Sequence, residues 1–306
     1  MTQRLLVVSP VRNEAAHIER VARALAAQTR RPDSWIVVDD WSTDETPAIL
    51  ARLADELDFM SVMRSPPPLG DDAPRDRLVV AAEARAFNAG LNSVQREAFT
   101  HIAKLDGDIE LPPRYFELLL SEFESDPALG LAGGVLREPS GDGWSREHGA
   151  SDYHVRGALK CYSRGCLDEI GGIRERMSWD TIDEVYARMR GYKTRALPEL
   201  VALHHRPSAS ADGLLRGRAR HGLGFYITHY PLAWVSLRAV KTAGEPPAVL
   251  SGFAFLGGYL WAAVTRAPRV EDPEFRAFVR RELGIRARRA LRLPVPIEPA
   301  ARPETR

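Results

Sequence analysis

Two carboxylates one residue apart, Asp106 and Asp108, carry the sharpest chemical signal in this chain. They lie in Ile102-Ala103-Lys104-Leu105-Asp106-Gly107-Asp108-Ile109, after an apolar run that predicts a strand over 100–105 and before Pro112 and Pro113. In an open α/β sheet, ligands bind just past the carboxyl ends of the strands. Gly107 lets the backbone bend sharply there. Mg2+ and Mn2+ are typically held by one or two carboxylates plus substrate phosphates, so the pair suits a metal–phosphate site. Asp and Gly are also common in solvated turns. Taken alone, the stretch fits both readings, and its neighbours have to decide.

Further carboxylates follow other strand-like runs: Glu14, and the pair Asp39–Asp40. Several strands of one parallel sheet would bring them into a single crevice. Asp39 or Asp40 could accept the N3 hydrogen of a uracil ring or bind ribose hydroxyls, as an acidic residue does in dinucleotide folds. The alternative is that Asp40 only turns the chain with Ser42. There is no Gly-x-Gly-x-x-Gly after the first strand and no Walker-type loop, which disfavours a dinucleotide redox enzyme or a P-loop ATPase.

The elements that must position these groups alternate. Leu5 to Ser9 reads as a buried parallel strand. A helical stripe follows at Ile18, Val21, Ala22, Leu25 and Ala26. Trp35 to Val38 is a second buried strand. The next helix is capped by Thr43 or Asp44 and has Pro47 in its early turn. Phe59 to Arg64 is a third strand. Ser65 to Arg77, rich in Pro, Gly and Asp, is a long loop of the kind that often acts as a lid, and Leu78 to Leu91 is helical. This alternation predicts an α/β fold with a mostly parallel sheet and right-handed crossovers. Beyond it come a helix at 115–123, a strand at 129–136 interrupted by Gly133 and Gly134, and a polar loop at 138–149. A short helix at 164–170, a helix at 183–190 and strands at 193–197 and 200–204 complete this region. From Ser208 onward the pattern is helical and basic.

Composition bounds the function. The 306 residues suit one large domain or two small ones, and an apolar share of 44% supports a sizeable core. The formal net charge of +1 argues against nucleic acid as a partner. Two cysteines, Cys161 and Cys166, give neither a disulfide framework nor a structural zinc site. With no signal-like core at the N-terminus, a cytoplasmic location is expected. Ala248 to Val264 has no charged residue and is followed by Arg266 and Arg269. It reads equally as a buried core helix or as an interfacial element, peripheral on the inner face of a membrane.

Four stretches in order make a more specific pattern: Val-Val-Ser-Pro-Val-Arg-Asn-Glu (Val7 to Glu14), Val-Val-Asp-Asp-Trp-Ser-Thr-Asp (Val37 to Asp44), Ala-Arg-Ala-Phe-Asn-Ala-Gly-Leu (Ala84 to Leu91) and Leu-Asp-Gly-Asp (Leu105 to Asp108). Over roughly residues 4 to 205 the chain resembles the family-2 inverting glycosyltransferases with the GT-A fold. The resemblance implies a UDP-, GDP- or dTDP-sugar donor, a divalent metal (Mn2+ or Mg2+) bound through the Asp-x-Asp motif, and transfer with inversion. It implies that Pro10, Arg12, Glu14 and Asp39 or Asp40 line the nucleoside site, that Arg85 and Asn88 approach ribose and phosphates, and that Asp106 and Asp108 meet ribose and the metal-bound diphosphate. It also implies a histidine on the metal at the end of the last strand, His204 in preference to His205.

An acceptor hydroxyl attacking the anomeric carbon must lose a proton, which asks for a carboxylate base. The family places an acidic pair where Ser178-Trp179-Asp180-Thr181-Ile182-Asp183-Glu184 stands here. This chain lacks the commonest Glu-Asp spelling. Counting back from Gly191 without gaps points to Asp180, whereas a shorter helix aligns Asp183 or Glu184. Asp183 is favoured as base, with Asp180 and Glu184 beside it. Arg216, Arg218 and Arg220, with His221 and Tyr226, fall where relatives often carry a flexible segment over the diphosphate; a solvated basic helix face, or one facing anionic lipid, fits them at least as well. The Gln-x-x-Arg-Trp motif of processive synthases is missing.

The expectation is a GT-A domain over 1–207, a helical region over 208–292 that is a candidate for membrane association, and a disordered tail over 293–306. The expected reaction is transfer of one sugar to a hydroxyl of a glycan or lipid-linked acceptor of the cell envelope. The rivals are a sugar-1-phosphate nucleotidyltransferase, whose glycine-rich basic loop Ser9 to Arg12 does not match, and a non-catalytic homologue.

Overall fold

The computed structural model describes residues 3–67, 81–140, 143–146, 154–206 and 213–294. They form two compact units that divide between Arg206 and Pro207. The first unit is built on one nine-stranded mixed sheet. Strand β1 (Leu5–Val11) is buried along its whole length and lies parallel between β2 (Ser34–Asp39) and β4 (His101–Leu105). β3 (Met60–Arg64) extends the parallel set beyond β2. The crossovers are α1 (Ile18–Ala26), α2 (Thr46–Glu56) and α3 (Ala82–Asn92). α1 buries Ile18, Val21, Ala22 and Leu25, the stripe its spacing predicts.

Strand periodicity sorts the two faces. Leu5, Val7, Trp35 and Val37 pack with α1, α2 and α4 (Tyr115–Ser125) in one core cluster. Alternate residues face α3, whose Gly90 sits so close to the sheet that an added Cβ would lie 2.7 Å from both Val8 and Val38. Short β5 (Ile109–Glu110) is an edge strand, antiparallel to β9 (Lys193–His204). β6 (Leu129–Ser140) runs parallel to β9, and β8 (Leu159–Ser163) lies antiparallel between β4 and β6. α5 (Arg164–Glu169) and α6 (Trp179–Met189) complete the unit.

Three expectations change. The strand over 129–136 is one twelve-residue strand, and residues 138–140 and 143–146 form a hairpin of β6 with β7 (Gly143–Arg146) instead of a loop. The glycines do not break β6. They admit neighbouring backbone: a Cβ at Gly133 would lie 2.4 Å from the Leu159 carbonyl oxygen, and one at Gly134 2.2 Å from that of Leu200. The segments 193–197 and 200–204 are likewise a single strand, with a register shift opposite Gly134–Val135 that takes up Pro198, a residue that cannot donate to the ladder. α6 begins at Trp179, four residues before the expected start. The chain at 68–80, including the expected lid from residue 68 on and the start of the helix at 78, lies outside the described residues, as do 141–142, 147–153, 207–212 and the tail from 295. Gly134→Ala should destabilise the fold by about 1–3 kcal/mol through overpacking, read as a lower midpoint in urea at unchanged slope.

The second unit contains α7 (Leu214–Ile227), α8 (Leu232–Thr242), α9 (Leu250–Val264) and α10 (Pro273–Ala290). α7 and α9 cross backbone to backbone. A Cβ at Gly222 would lie 1.8 Å from the Phe255 carbonyl oxygen, and one at Gly258 1.9 Å from that of Ala219. Their close packing explains glycines that would otherwise weaken α9. Its inner side, Phe255, Tyr259 and Ala262, is buried with Tyr226, Val235 and Ala239. Among the described residues no helix is long and apolar enough to cross a membrane.

Candidate functional site

The carboxyl ends of β1, β2 and β4 open into one crevice of about 250 Å3. Pro10, Arg12 and Glu14 reach it from β1, Asp40 from β2, and Asp106, Gly107 and Asp108 from β4. Glu83 at the start of α3 and Arg206 after β9 close its sides. Its lining is rich in carboxylates. Glu14 is buried beside Asp108, and burial first, then the Asp108 charge, pushes its carboxyl up to about 7 even though Arg206 pairs with it at 2.5 Å. Gly107 is required by space: a Cβ would sit 2.8 Å from Val11 and 3.0 Å from Glu14.

Asp108 is also buried, which alone would raise its pKa. The hydrogen bond from His204 and the nearby Arg206 outweigh burial and hold it below the ordinary carboxylate range. His204 Nε2 lies 3.4 Å from Asp108, and its Nδ1 lies 3.3 Å from Glu138. Burial disfavours the imidazolium, yet the two carboxylates raise its pKa to about 9. A carboxylate holding one ring nitrogen while the other faces a second acidic group is the usual arrangement around a metal-bound imidazole. His205 points elsewhere, with Nε2 2.7 Å from Glu110 and Nδ1 3.2 Å from Arg20. Among the described residues no three or more His, Cys, Asp or Glu side chains converge as a closed cage.

Two lysines lie under the crevice floor. Lys104 on β4 and Lys160 on β8 are register partners, both fully buried, with their ammonium groups 5.3 and 5.6 Å from the Trp179 ring centre. Like charges directly opposite in a sheet destabilise it, and here acids compensate each one. Lys104 pairs with Asp106 and Glu83 and donates to the Gly157 carbonyl at 2.8 Å. Burial would strip its proton, but Asp106 and Glu83 outweigh that and keep it charged. Asp106 keeps 26% of its side chain exposed, so its other face remains open to the crevice.

Lys160 organises the acidic segment of α6. It lies 2.9 Å from Asp183 and 3.3 Å from Glu184, and it donates to the Asp180 carbonyl. Asp183 also accepts from the Tyr162 hydroxyl and from the Glu184 amide, and is 1% exposed. Burial pushes its carboxyl up to about 6 against the pull of Lys160. Glu184 is 2% exposed and accepts from the Val155 amide; the charges of Lys160, His154 and Arg188 outweigh burial and hold it at about 2. Asp180, in the first turn of α6, is half-buried, and its carboxylate accepts no hydrogen bond among the described residues. Its Cβ lies 3.2 Å from where a Cβ on Gly157 would be. Gly157 thus bridges Asp180 to Lys104 and Asp106.

Several expected site residues stand away from the crevice lining. Asp183 and Glu184 have no surface with which to meet an acceptor. Asp39 lies beneath the crevice, accepting from the Ser42 amide at 3.1 Å and pairing with Arg64 at 3.6 Å, because strand alternation turns it away from where Asp40 points. Arg85 and Asn88 lie further along α3 and fasten it to the 173–175 segment. Arg85 pairs with Glu175 at 3.9 Å, and Asn88 donates to the Ile173 carbonyl at 2.8 Å. Arg206, Glu83, Lys104 and Lys160 were missed. The legible signal was a lysine inside each of two otherwise apolar strands, since a buried lysine is almost always paired.

A carboxylate-lined crevice at the carboxyl ends of the strands of a curled mixed sheet, flanked by helices, is where open α/β folds bind their ligands. Residues 6–174, more than half of the chain, match the family described as Glycosyl transferase family 2, and the chain belongs to that family, a family of glycosyltransferases. No curated protein sequence matches the chain. Among solved structures it is similar to the mannosyltransferase PcManGT from Pyrobaculum calidifontis in complex with GDP-Man and Mn2+, at 18% identity and a TM-score of 0.54 over 95% of this chain and 83% of that one. It is similar to S. aureus TarS 1-349 in complex with UDP-GlcNAc, at 14% identity and a TM-score of 0.53 over 84% and 72%. It is also similar to GalNAc-T7 with UDP, GalNAc and Mn2+, at 12% identity and a TM-score of 0.58 over 97% and 59%. At these identities the likeness shows the GT-A fold.

Proposed function

We propose that this glycosyltransferase moves one sugar, with inversion, from a nucleoside-diphosphate sugar to a hydroxyl of a glycan or lipid-linked acceptor in the cell envelope. The observation that carries this reading is the convergence of Asp40, Asp106 and Asp108 from different parallel strands on one crevice. In it, Pro10, Arg12 and Asp40 hold the nucleoside, and Asp106 holds the ribose with its exposed oxygen. Arg206 faces the diphosphate. Residues 1–207 are the transferase domain and 208–292 a separate helical region.

The donor set of Asp108 and His204 fits Mn2+ or Mg2+, a hard carboxylate oxygen beside an imidazole nitrogen that Glu138 orients. The substrate phosphates would supply further ligands. Such an ion, when bound, neutralises charge on the departing diphosphate. The protein's own part is to position the sugar and to take the acceptor proton. That role moves from Asp183 to Asp180, the acidic group of α6 that keeps an exposed side. Trp179 roofs the two lysines, and Lys160 fixes the Asp180 backbone, so the base stands on a braced first turn.

A thermal-shift series of UDP-, GDP- and dTDP-sugars with Mn2+ tests the reading. A donor at about 100 times its Kd should stabilise the fold by about 2.7 kcal/mol. Asp108→Ala should lose that metal-dependent stabilisation and all turnover, measured as nucleoside diphosphate release. Unchanged stabilisation in that variant with the metal chelated would refute the metal assignment. A non-catalytic homologue would show the donor shift without release of nucleoside diphosphate.

A further inference from the structure

One side of α9 is buried in the second unit; the other is exposed and apolar. Leu250, Phe253, Gly257, Leu260, Trp261 and Val264 recur every three or four residues and so share one helix face. Phe253, Trp261 and Val264 are 68%, 70% and 80% exposed, and no charged residue occurs from Leu250 to Val264. α8 packs against α9, with Gly252 close to the Ala239 carbonyl, and exposes Leu237 and Val240 at 65% and 74%. Isolated exposed apolar residues are ordinary, but a charge-free helix with one whole face of them marks an interaction surface, and α8 adds exposed apolar residues of its own.

Charge identifies what the surface meets. Residues 213–294 hold 14 Lys or Arg against 5 Asp or Glu, a difference of +9, whereas residues 1–206 hold 26 against 33, a difference of −7. The near-neutral total of the chain conceals this division. Arg276, Arg280, Arg281, Arg288 and Arg289 are exposed on α10, and Lys241 and Arg266 bracket the α9 stripe in the chain. We propose that the exposed face of α9 docks into the interfacial layer of an anionic lipid membrane, with the helix lying in the plane of the surface. Fifteen residues span about 22 Å of helix, short of the roughly 30 Å hydrocarbon core. Trp and Phe anchor at that interface, and the unit's excess of basic residues is attracted to anionic headgroups. A nucleic acid would answer the charge and leave the apolar face uncovered. The inference uses the second unit alone and stands apart from the transfer reaction.

The test is sedimentation of the full chain with vesicles of phosphatidylcholine alone or of equal parts phosphatidylcholine and phosphatidylglycerol. The chain should pellet with the anionic vesicles and be released by added salt. Phe253→Ser with Trp261→Ser should lower the partition coefficient about tenfold, and Arg280→Glu with Arg281→Glu should lower it about fivefold per charge. Both should keep the donor-induced thermal shift of the parent chain. The charge variant lies on an exposed helix face and keeps the test decisive should the serine pair impair folding. Equal pelleting of parent and charge variant, no pelleting with anionic vesicles, binding to an RNA homopolymer that vesicles do not displace, or a solution dimer split by the serine pair would each overturn the proposal.

Discussion

Asp180→Asn is expected to lower turnover by about 10²- to 10⁴-fold while leaving the donor's binding intact. Asn keeps the size and shape of Asp and cannot take a proton. The carboxylate has no hydrogen-bond partner among the described residues, so no folding contact is lost with it. Release of nucleoside diphosphate, with water as acceptor if no better one is known, reads kcat; the donor-induced thermal shift reads binding. The contrast is Asp183→Asn. That change removes a counter-charge of Lys160 in a site 1% exposed, so it should lower stability first and activity only with the folded fraction. Wild-type kcat in Asp180→Asn, together with loss of kcat in folded Asp183→Asn, would return the base to Asp183.

The choice between these carboxylates shows what was legible in the residue pattern. β1 and β2 carry continuous apolar runs with abrupt polar ends, and β4 is apolar but for His101 and Lys104, so they and the crevice they frame could be read directly. The acidic segment could be placed but not resolved, because three acids within five residues of a helix differ only by which face each occupies. That depends on where the helix starts. Ser178 takes a left-handed φ of 65°, so α6 opens at Trp179. Asp180 is then in the first turn, and Asp183 and Glu184 are carried under the sheet. Alternation could have separated Asp39 from Asp40, since neighbours at a strand end point to opposite sides. β6 and β9 were misjudged for a different reason: Gly133, Gly134 and Pro198 resemble breaks in a local reading, and the backbone approaches that give them their roles are long-range. Arg206, distant in sequence from Glu14, offered no local signal at all.

Lys160→Met should cost about 3–5 kcal/mol. Met matches the length and bulk of the lysine stem, so the change tests charge more than packing. It leaves Asp183 and Glu184, both at most 2% exposed, without the ammonium that each pairs with. His154 and Arg188 remain near Glu184, but Asp183 keeps only a neutral hydroxyl and a backbone amide. Asp183, already pushed up to about 6, should therefore take up a proton at neutral pH to escape burial as an anion. At about 2–4 °C per kcal/mol for a unit of this size, the melting temperature should fall by about 6–20 °C. Surface pairs such as Arg52–Glu56, nearly half exposed on the arginine side, should contribute less than about 1 kcal/mol and provide the control. Adding Asp183→Asn to Lys160→Met should recover part of the loss, because it removes the orphaned charge. A coupling of less than about 0.5 kcal/mol between the two substitutions would mean that Lys160 answers chiefly to Glu184. Turnover should fall as well, since the same ammonium holds the Asp180 carbonyl and with it the first turn that carries the base. A conservative Lys160→Arg is no rescue: the Lys160 side chain is fully buried, with its ammonium near the Trp179 ring that also covers Lys104, and the larger planar guanidinium would crowd both.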